Sequence, residues 1–268
     1  MKKKRLIPIL LLRNGWLVQS KEFSRYQNLG NPVSSVKRFS EWASDEVIYL
    51  NISKDDIYDR RREDQGYSNR HSFLEIINDV ARVTFMPITV GGRIRSLNDI
   101  SLLLGAGADK ISINSIALQD SSFIGQAANE FGSQCIVVSI DVKIINGKYK
   151  VMAKGGSENT GYDPIEWARR AEAEGAGEIL LNSIDRDGTK EGYDLKLLST
   201  VSESVRLPII ACGGVGNWLH FAEALEKTKV DAVAAANIFQ YTDQSVYLAR
   251  KYLYDQGFNI RPPDLLSL

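Results

Sequence analysis

Short apolar runs alternate with segments of helical spacing along nearly the whole chain. The runs include residues 6–12, 46–51 and 87–90, and each ends in a polar or glycine-containing turn. Between them, segments such as Phe73–Val83 repeat apolar residues three and four positions apart, as amphipathic helices do. Strands that alternate with helices pair in parallel, and eight of them close into a barrel. The sequence therefore predicts an α/β fold, a single (β/α)8 barrel with the TIM-barrel architecture.

The two halves of the chain share sequence. Residues 87–94, Pro-Ile-Thr-Val-Gly-Gly-Arg-Ile, correspond to residues 208–215, Pro-Ile-Ile-Ala-Cys-Gly-Gly-Val, and residues 45–53 correspond to residues 177–185. The members of each pair lie about half the chain apart, which is typical of an internal duplication. We therefore expect one domain, residues 1–268, built from two half-barrels at roughly 1–130 and 131–268.

Composition excludes several classes of function. The 33 basic and 33 acidic residues leave no net charge, so no overall field attracts nucleic acid or a membrane surface. The apolar run at residues 6–12 follows a basic start but is too short to span a bilayer, and it lacks a signal-peptide cleavage site. We expect a cytoplasmic protein without a cofactor or metal, in which Cys135 and Cys212 are buried thiols rather than a disulfide.

Three turns are candidates for anion binding. A Gly-Gly pair follows the strand at residues 87–90, and another follows the strand at residues 208–212. Glycine exposes backbone N–H groups that suit phosphate oxygens, although such pairs also serve only to make tight turns. The third turn, Asp185-Arg-Asp-Gly-Thr189, fits a phosphate-handling turn and an ordinary strand-to-helix loop equally well. The paired occurrence in both halves favours phosphate binding.

These motifs resemble the cyclase subunit of imidazole glycerol phosphate synthase, a lyase of histidine biosynthesis. The resemblance spans nearly the whole chain and includes residues 131–134 (Phe-Gly-Ser-Gln), 137–141, 175–181, 183–190 and 192–194. It implies a substrate with a phosphate at each end and a glutaminase partner, whose ammonia crosses the barrel from the N-terminal to the C-terminal face. The predicted phosphate-binding positions are Gly92, Asn114, Ser115, Asp187, Gly188, Gly213, Gly214, Ala236 and Asn237.

The resemblance also implies an ammonia gate, a ring of four charged residues at the N-terminal face. The matching residues are Arg5, Glu46, Lys110 and Glu178, each at the predicted start of a strand. A salt-bridge cluster that simply closes the barrel end is the alternative. Asp109 matches a family position at the glutaminase interface.

The expected reaction face departs from the family pattern. The resemblance implies two acid/base aspartates, at the ends of the first and fifth strands; the second is Asp141, but Leu11 stands at the first. Gln19 replaces a lysine of the first loop, Asn51 replaces an aspartate, and Arg93 replaces the third glycine of a turn. A leucine cannot move a proton, and loss of one acid/base group costs about two to four powers of ten in rate.

A divergent branch of the family offers an explanation. Residues 10–15, Leu-Leu-Leu-Arg-Asn-Gly, resemble the first strand of proteins that work in acetamidino-sugar formation for surface polysaccharides such as lipopolysaccharide. That branch implies a conduit that passes ammonia to a separate sugar amidotransferase. The alternatives are a genuine cyclase with a substitute base and a non-catalytic scaffold that activates the glutaminase.

The segment at residues 53–72 is polar and rich in charge. We expect it at the C-terminal face, where Arg60, Arg61 and Arg62 either contact a third protein or are simply solvated.

Overall fold

The structure, a computed structural model, describes residues 2–21, 23–42, 44–54, 58, 70–240 and 245–263. In these ranges the strands are β1 (Arg5–Arg13), β2 (Trp16–Lys21), β3 (Arg25–Gly30), β4 (Val47–Asn51), β5 (Ile88–Gly91), β6 (Lys110–Ile113), β7 (Ile136–Ile145), β8 (Lys148–Ala153), β9 (Glu158–Asn159), β10 (Glu178–Ser183), β11 (Ile209–Cys212) and β12 (Ala232–Ala235). The helices are α1 (Pro32–Glu41), α2 (Phe73–Val83), α3 (Leu97–Gly105), α4 (Ser115–Gln119), α5 (Ser122–Phe131), α6 (Pro164–Ala173), α7 (Leu195–Ser202), α8 (Trp218–Lys227) and α9 (Val246–Asp255). None of these helices is long and apolar enough to cross a membrane.

Eight parallel strands close into a barrel, which confirms the predicted fold. They pair in the order β1, β4, β5, β6, β7, β10, β11 and β12, and β12 pairs with β1 to complete the circle. The strands β2, β3, β8 and β9 extend the sheet outside the barrel. The parallel strands all start at one end, so the barrel has an N-terminal face and a C-terminal face.

Alternation along each strand divides the apolar residues into two clusters. On β1, Ile7, Ile9 and Leu11 point into the barrel interior, here called the lumen. Leu6 and Leu10 point outward, into the larger core between the strands and the helices. Successive side chains of a strand face opposite sides of the sheet, so a nearly continuous apolar run serves both clusters.

Helix signals in the sequence correspond well to the structure. Helix α2 begins and ends as predicted, and the Ser72 hydroxyl accepts a hydrogen bond from the Glu75 N–H. Helix α3 begins after Ser96, which forms a capping box with Asp99. These caps satisfy N–H groups that have no partner within the helix.

Two β-hairpins carry Asn-Gly turns, and the sequence predicts only one of them. The predicted one is at Asn146-Gly147, because this dipeptide favours the tight turn between two antiparallel strands. These residues connect β7 to β8 as expected, with positive φ angles of 51° and 73°. Asn14 and Gly15 connect β1 to β2 in the same way, with φ angles of 53° and 84°. The strand β3 then completes a hairpin, here called the first hairpin (residues 16–30), that was predicted only as a turn.

The duplicated segments occupy matching places in the barrel. Residues 45–53 and 177–185 contain β4 and β10, and the Gly-Gly segments contain β5 and β11. Each pair is four strands apart around the circle, as two half-barrels require. The division near residue 130 stays a prediction.

Two expectations from the sequence need comment. Cys135 and Cys212 are free thiols as predicted, but both are half-buried, so the prediction of full burial was wrong. Cys135 belongs to a short 3-10 turn before β7, and Cys212 ends β11, so neither lies deep in the core. Arg60, Arg61 and Arg62 lie outside the described residues.

Close packing between strand ends generates a test of the fold. Gly177 precedes β10, and a Cβ atom added there would lie 2.1 Å from the Ser133 carbonyl oxygen. We expect Gly177→Ala to lower the free energy of unfolding by about 1–3 kcal/mol, because the backbone must move. Gly105, the last residue of α3, has open space around its Cα, so Gly105→Ala should be neutral or stabilise by up to about 1 kcal/mol. Urea unfolding measures both, and equal midpoints for the two variants would contradict the packing argument.

Candidate functional site

The four predicted gate residues meet at the N-terminal face of the barrel. Arg5, Lys110 and Glu178 are the first residues of their strands, and Glu46 immediately precedes β4. Because parallel strands begin at one end of the barrel, these side chains converge on the entrance to the lumen. The structure thus brings together four residues that are up to 173 positions apart in sequence.

Ion pairs link these residues into a closed ring, here called the charged ring. Arg5 Nη1 lies 2.8 Å from Glu46 Oε2, and the other end of the guanidinium bonds Glu178. Lys110 Nζ lies 3.0 Å from both Glu46 Oε2 and Glu178 Oε2. The Thr89 hydroxyl donates to Glu46 Oε1 at 2.5 Å. Each carboxylate therefore has both cations as partners.

Burial explains why the ring needs this arrangement. Glu46 and Glu178 are 2% and 5% exposed, whereas about a quarter of the Arg5 and Lys110 side chains is exposed. A buried carboxylate is costly unless it is paired and hydrogen-bonded. Burial alone would lower the pKa of the Arg5 guanidinium, but Glu178 and Glu46 more than offset this and raise it. The geometry fits a structural cluster and a closed gate equally.

Asp109 lies on the same face and has a structural contact. Its Oδ2 accepts a hydrogen bond from the Ile88 N–H at 2.8 Å, at the start of β5. Asp231 does the same for Ile209 at the start of β11, at 3.2 Å. Ile88 and Ile209 are matching residues of the duplicated segments, so strand capping explains Asp109 without a partner. Its interface role stays a prediction.

Asp141 lies at the other end of the lumen, on β7, close to where that strand leaves the barrel and pairs with β8 alone. It is 9% exposed. Its Oδ1 accepts from Asn182 Nδ2 at 2.9 Å, and its Oδ2 accepts from Asn114 Nδ2 at 2.8 Å. Burial raises the pKa of the Asp141 carboxyl, while the two amide hydrogen bonds act in the opposite direction. The arrangement holds one carboxylate in a fixed orientation, as a general acid or base requires.

Asn182 was missed by the sequence analysis, although a signal was present. Glu178, Leu180 and Asn182 alternate on β10, so all three face the lumen. In the barrel register Asn182 pairs with Asp141. The same strand explains why residue 213 is a glycine. A Cβ atom there would lie 2.9 Å from Asn182 Oδ1 and 2.7 Å from the Ser183 carbonyl oxygen.

Leu11 faces the lumen on the side of β1. It is 9% exposed and belongs to the lumen cluster with Ile9 and Val18. Val18, on β2 of the first hairpin, pairs directly with Leu11, and Tyr26 of β3 packs against the same cluster. The position where the resemblance implies a carboxylate is therefore filled by apolar packing.

The other positions at which the resemblance implies a different residue lie around the C-terminal face. Gln19 is on β2 of the first hairpin, paired with Gln27. Asn51 ends β4, and its Oδ1 accepts from the Ser53 N–H at 3.1 Å. Arg93 has a left-handed φ of 61°, and its Nη1 donates to the Ser53 carbonyl at 3.1 Å. The Arg93 side chain thus contacts the segment that leaves β4.

The first hairpin covers part of the predicted phosphate site. Asp187 Oδ2 accepts from the Ser20 hydroxyl at 3.0 Å, and Asn237 Nδ2 donates to the Ser20 carbonyl at 2.6 Å. A Cβ atom at Gly188 would lie 3.0 Å from the Cα of Lys21. An anion at this turn would have to share or replace these contacts, so phosphate binding here stays a prediction.

The remaining predicted phosphate positions have other contacts in this structure. Asn114 holds Asp141, and Ser115 Oγ accepts from the Lys154 N–H at 3.2 Å. Gly92 and Gly214 have φ angles of 90° and 103°, and a Cβ atom at either would lie 2.1 Å from a carbonyl oxygen. Ala236 packs beside the lumen cluster. Tight backbone approach is a sufficient reason for these two glycines.

Removal of one cation tests the charged ring. We expect Lys110→Met to lower the free energy of unfolding by about 1–3 kcal/mol, because two buried carboxylates would then share Arg5 alone. Lys227→Met is the matched control, since Lys227 pairs with Glu223 on an exposed helix surface and should matter little. Thermal or urea unfolding measures the loss of stability in both variants. An equal loss in Lys110→Met and Lys227→Met would show that the ring adds no stability.

Asn182→Ala tests the support of Asp141. Removing a donor to the carboxylate should raise the pKa of Asp141 further, which carboxyl NMR titration measures. Because the pKa of this carboxyl is higher in the folded protein than its ordinary value of 3.8, the free energy of unfolding falls as the pH rises from 3.8 to the folded pKa. The variant should therefore be more destabilised relative to wild type at pH 7 than at pH 4. Ser183→Ala is the control, and a pKa shift of equal size in that variant would refute the specific role of Asn182.

Comparison with known proteins identifies the family of this chain. The family model described as "Histidine biosynthesis protein" matches residues 5–245. Imidazole glycerol phosphate synthase subunit HisF of Lactococcus lactis subsp. cremoris (strain SK11) is 44% identical over 245 residues, which cover 91% of this chain and 90% of that protein. The protein of the same name from Clostridium botulinum (strain Okra / Type B1) is 42% identical over 260 residues, covering 96% and 98%. The closed barrel, the charged ring and the lumen carboxylate thus belong to a chain that is a member of the histidine biosynthesis protein family.

Proposed function

We propose that this chain is the barrel subunit of a glutamine-dependent amidotransferase and conducts ammonia through its lumen. A glutaminase would dock over the charged ring, and ammonia would enter there and leave at the C-terminal face. The observation that carries this proposal is the charged ring itself: four charges from four strands, closed across the lumen entrance. A scaffold that only activates the glutaminase would not need charges at this position.

The contacts indicate which member of the ring is best suited to move. Both carboxylates are bonded to Arg5 as well as to Lys110. If Lys110 moved outward, Glu46 and Glu178 would each still be paired with Arg5. If Glu46 or Glu178 moved instead, its carboxylate would lose both of its cations. The lysine has a flexible stem and is part-exposed, so it is the member suited to this movement.

Leu11 favours use of the ammonia by a different enzyme. The lumen end has Asp141 on one side and apolar packing around Leu11 on the other. With one carboxylate in place of the pair that the family resemblance implies, ring closure on this chain should be slower by about two to four powers of ten. The acceptor would then be a nucleotide sugar, to which a separate sugar amidotransferase adds nitrogen to form an acetamidino group.

The names of the relatives favour a second candidate, a genuine imidazole glycerol phosphate synthase cyclase, over the ammonia conduit. Both proteins compared above are named as subunit HisF of imidazole glycerol phosphate synthase, and they cover nearly this whole chain. Under this candidate the chain closes the imidazole ring itself, with Asp141 and a substitute for the missing carboxylate. The retained support of Asp141 by Asn114 and Asn182 is consistent with such chemistry.

Turnover of the family substrate separates the two candidates. The purified chain is supplied with the ribonucleotide substrate of imidazole glycerol phosphate synthase and an ammonium salt, and product formation is followed. The conduit proposal predicts a rate at least about a hundredfold below that of a HisF relative assayed alongside. An equal rate would establish the second candidate.

A pair of variants at position 11 sharpens the test. If the missing carboxylate limits the reaction, Leu11→Asp should recover part of the rate. Leu11→Asn should not, because asparagine has nearly the shape of aspartate but no acidic group. Recovery in both variants would instead point to a change in the first hairpin.

A further inference from the structure

A buried ion pair connects helix α9 to the residue before the β4 member of the charged ring. Arg250 of α9 is 1% exposed, and arginine is almost never buried to this extent unless it is paired. Its Nη2 atom lies 3.0 Å from Asp45 Oδ1, and the Asp45 side chain is 12% exposed. By contrast, Lys251 of the same helix pairs with Asp255 at the surface. The buried pair is not a member of the ring, so the ring alone does not explain it.

Asp45 joins this pair to the backbone beside two ring members. Its Oδ2 atom accepts a hydrogen bond from the Leu6 N–H at 2.9 Å. Leu6 follows Arg5 in the chain, and Asp45 precedes Glu46. One carboxylate therefore connects the start of β1, the start of β4 and helix α9. The separation between the backbones of Arg5 and Glu46 depends on where Asp45 is held.

The second half of the barrel holds its glutamate in a different way. In the duplicated segments Asp45 corresponds to Gly177, and Glu46 corresponds to Glu178. Gly177 fits so closely against the Ser133 carbonyl that backbone packing fixes the start of β10. The start of β4 is instead tied to a charged side chain of α9, through Asp45. The duplication thus singles out the ion pair as a feature of the first half.

Stability alone does not account for a buried guanidinium in α9. Val246, Ala249 and Leu253 of the same helix are buried, so an apolar side chain at position 250 would suit the packing. Replacing a buried ion pair by apolar residues of similar volume is often neutral or stabilising. A buried pair does restrict geometry, however, because separation would leave each charge uncompensated. Positioning is the role that these contacts fit.

We propose that Arg250 is a positioning residue for the charged ring. Through Asp45 it fixes the starts of β1 and β4 relative to each other, and with them the 2.8 Å ion pair between Arg5 and Glu46. That ion pair is the part of the ring that stays in place if Lys110 moves. This inference rests on the proposed function, in which the closed ring restricts entry to the lumen.

Thiol labelling of the lumen measures how well the ring is closed. Ser112 is 3% exposed and follows Lys110 by two residues on β6, so Ser112→Cys places a probe thiol in the lumen. Replacing Cys135 and Cys212 by alanine removes the natural thiols. Methyl methanethiosulfonate reaches a buried thiol only when the surrounding structure opens, so the labelling rate reports local opening. Lys110→Met, which removes one ring member, gives the rate for an incomplete ring.

The variant that tests Arg250 replaces both partners of the buried pair in this probe protein. Arg250→Met combined with Asp45→Asn leaves no buried charge alone, and asparagine can still accept from the Leu6 N–H. We expect an unfolding midpoint in urea close to that of the probe protein, but labelling at least about tenfold faster, because α9 no longer fixes the ring. Asp45→Asn alone should also be labelled faster, so the test does not depend on one variant.

Two single variants separate positioning from general loosening. Arg250→Lys keeps a cation for Asp45 and should restore part of the slow labelling rate. Leu253→Ala is the matched control, because it removes buried packing from the same helix but keeps the ion pair. It should lower the urea midpoint without accelerating labelling.

The labelling rates also separate the inference from the proposed function. Equal rates in the probe protein and the double variant would overturn the inference and leave the proposed function intact. Equal acceleration in Leu253→Ala would assign the effect to a loosened helix and would overturn the inference as well. A probe protein that is labelled as fast as its Lys110→Met variant would show that the ring does not close the lumen, which would overturn the proposed gate and the inference with it.

Discussion

Closure of the parallel barrel is the constraint on which every candidate functional position depends. Once β12 pairs with β1, all eight strand starts lie at one face and alternate residues must enter the lumen. Strand β10 shows the consequence most directly. Glu178 joins the charged ring at its first residue, and Asn182 supports Asp141 four residues later. A single strand therefore connects the two ends of the candidate conduit.

The lumen between those ends has two chemically different sides. Thr89, Ser112 and Ser139, on β5, β6 and β7, are buried hydroxyl-bearing residues. The opposite side, on β1, β11 and β12, carries Ile7, Ile9, Ile210, Ala232 and Ala234, and Val137 of β7 is the apolar residue among the hydroxyl-bearing ones. Within the described residues the Ser112 hydroxyl has no hydrogen-bond partner, and a buried hydroxyl without one is costly. A small polar solute would be stabilised along the β5–β7 side, which is consistent with conduction rather than with a solid apolar core.

The fold could be predicted because each barrel strand and most helices carry local signals. Helix α3, for example, is specified by its Ser96 cap and its apolar spacing. The first hairpin could not be predicted in this way, because β3 is a polar strand with an exposed or half-buried side-chain pattern. Its place is set by distant contacts, such as that of Ser20 with Asp187, 167 residues away. The ring residues could be named only from the family resemblance, and their pairing and the role of Asn182 depend on contacts between distant strands that local sequence does not specify.

Leu11 affects more than proton transfer. Because Leu11 pairs with Val18 and shares a cluster with Tyr26, it helps to hold the first hairpin over the lumen end. A carboxylate at this position would be buried among Ile9 and Val18, where an unpaired charge is strongly unfavourable. A chain with aspartate here should therefore favour a hairpin that lies further from the lumen, and a chain with leucine should favour the closed one. The hairpin also occupies Asp187 and Asn237, two of the predicted phosphate positions. The proposed conduit therefore rests on two linked points: the resemblance implies an acid where Leu11 stands, and the apolar contacts of Leu11 hold the hairpin against two of the predicted phosphate positions.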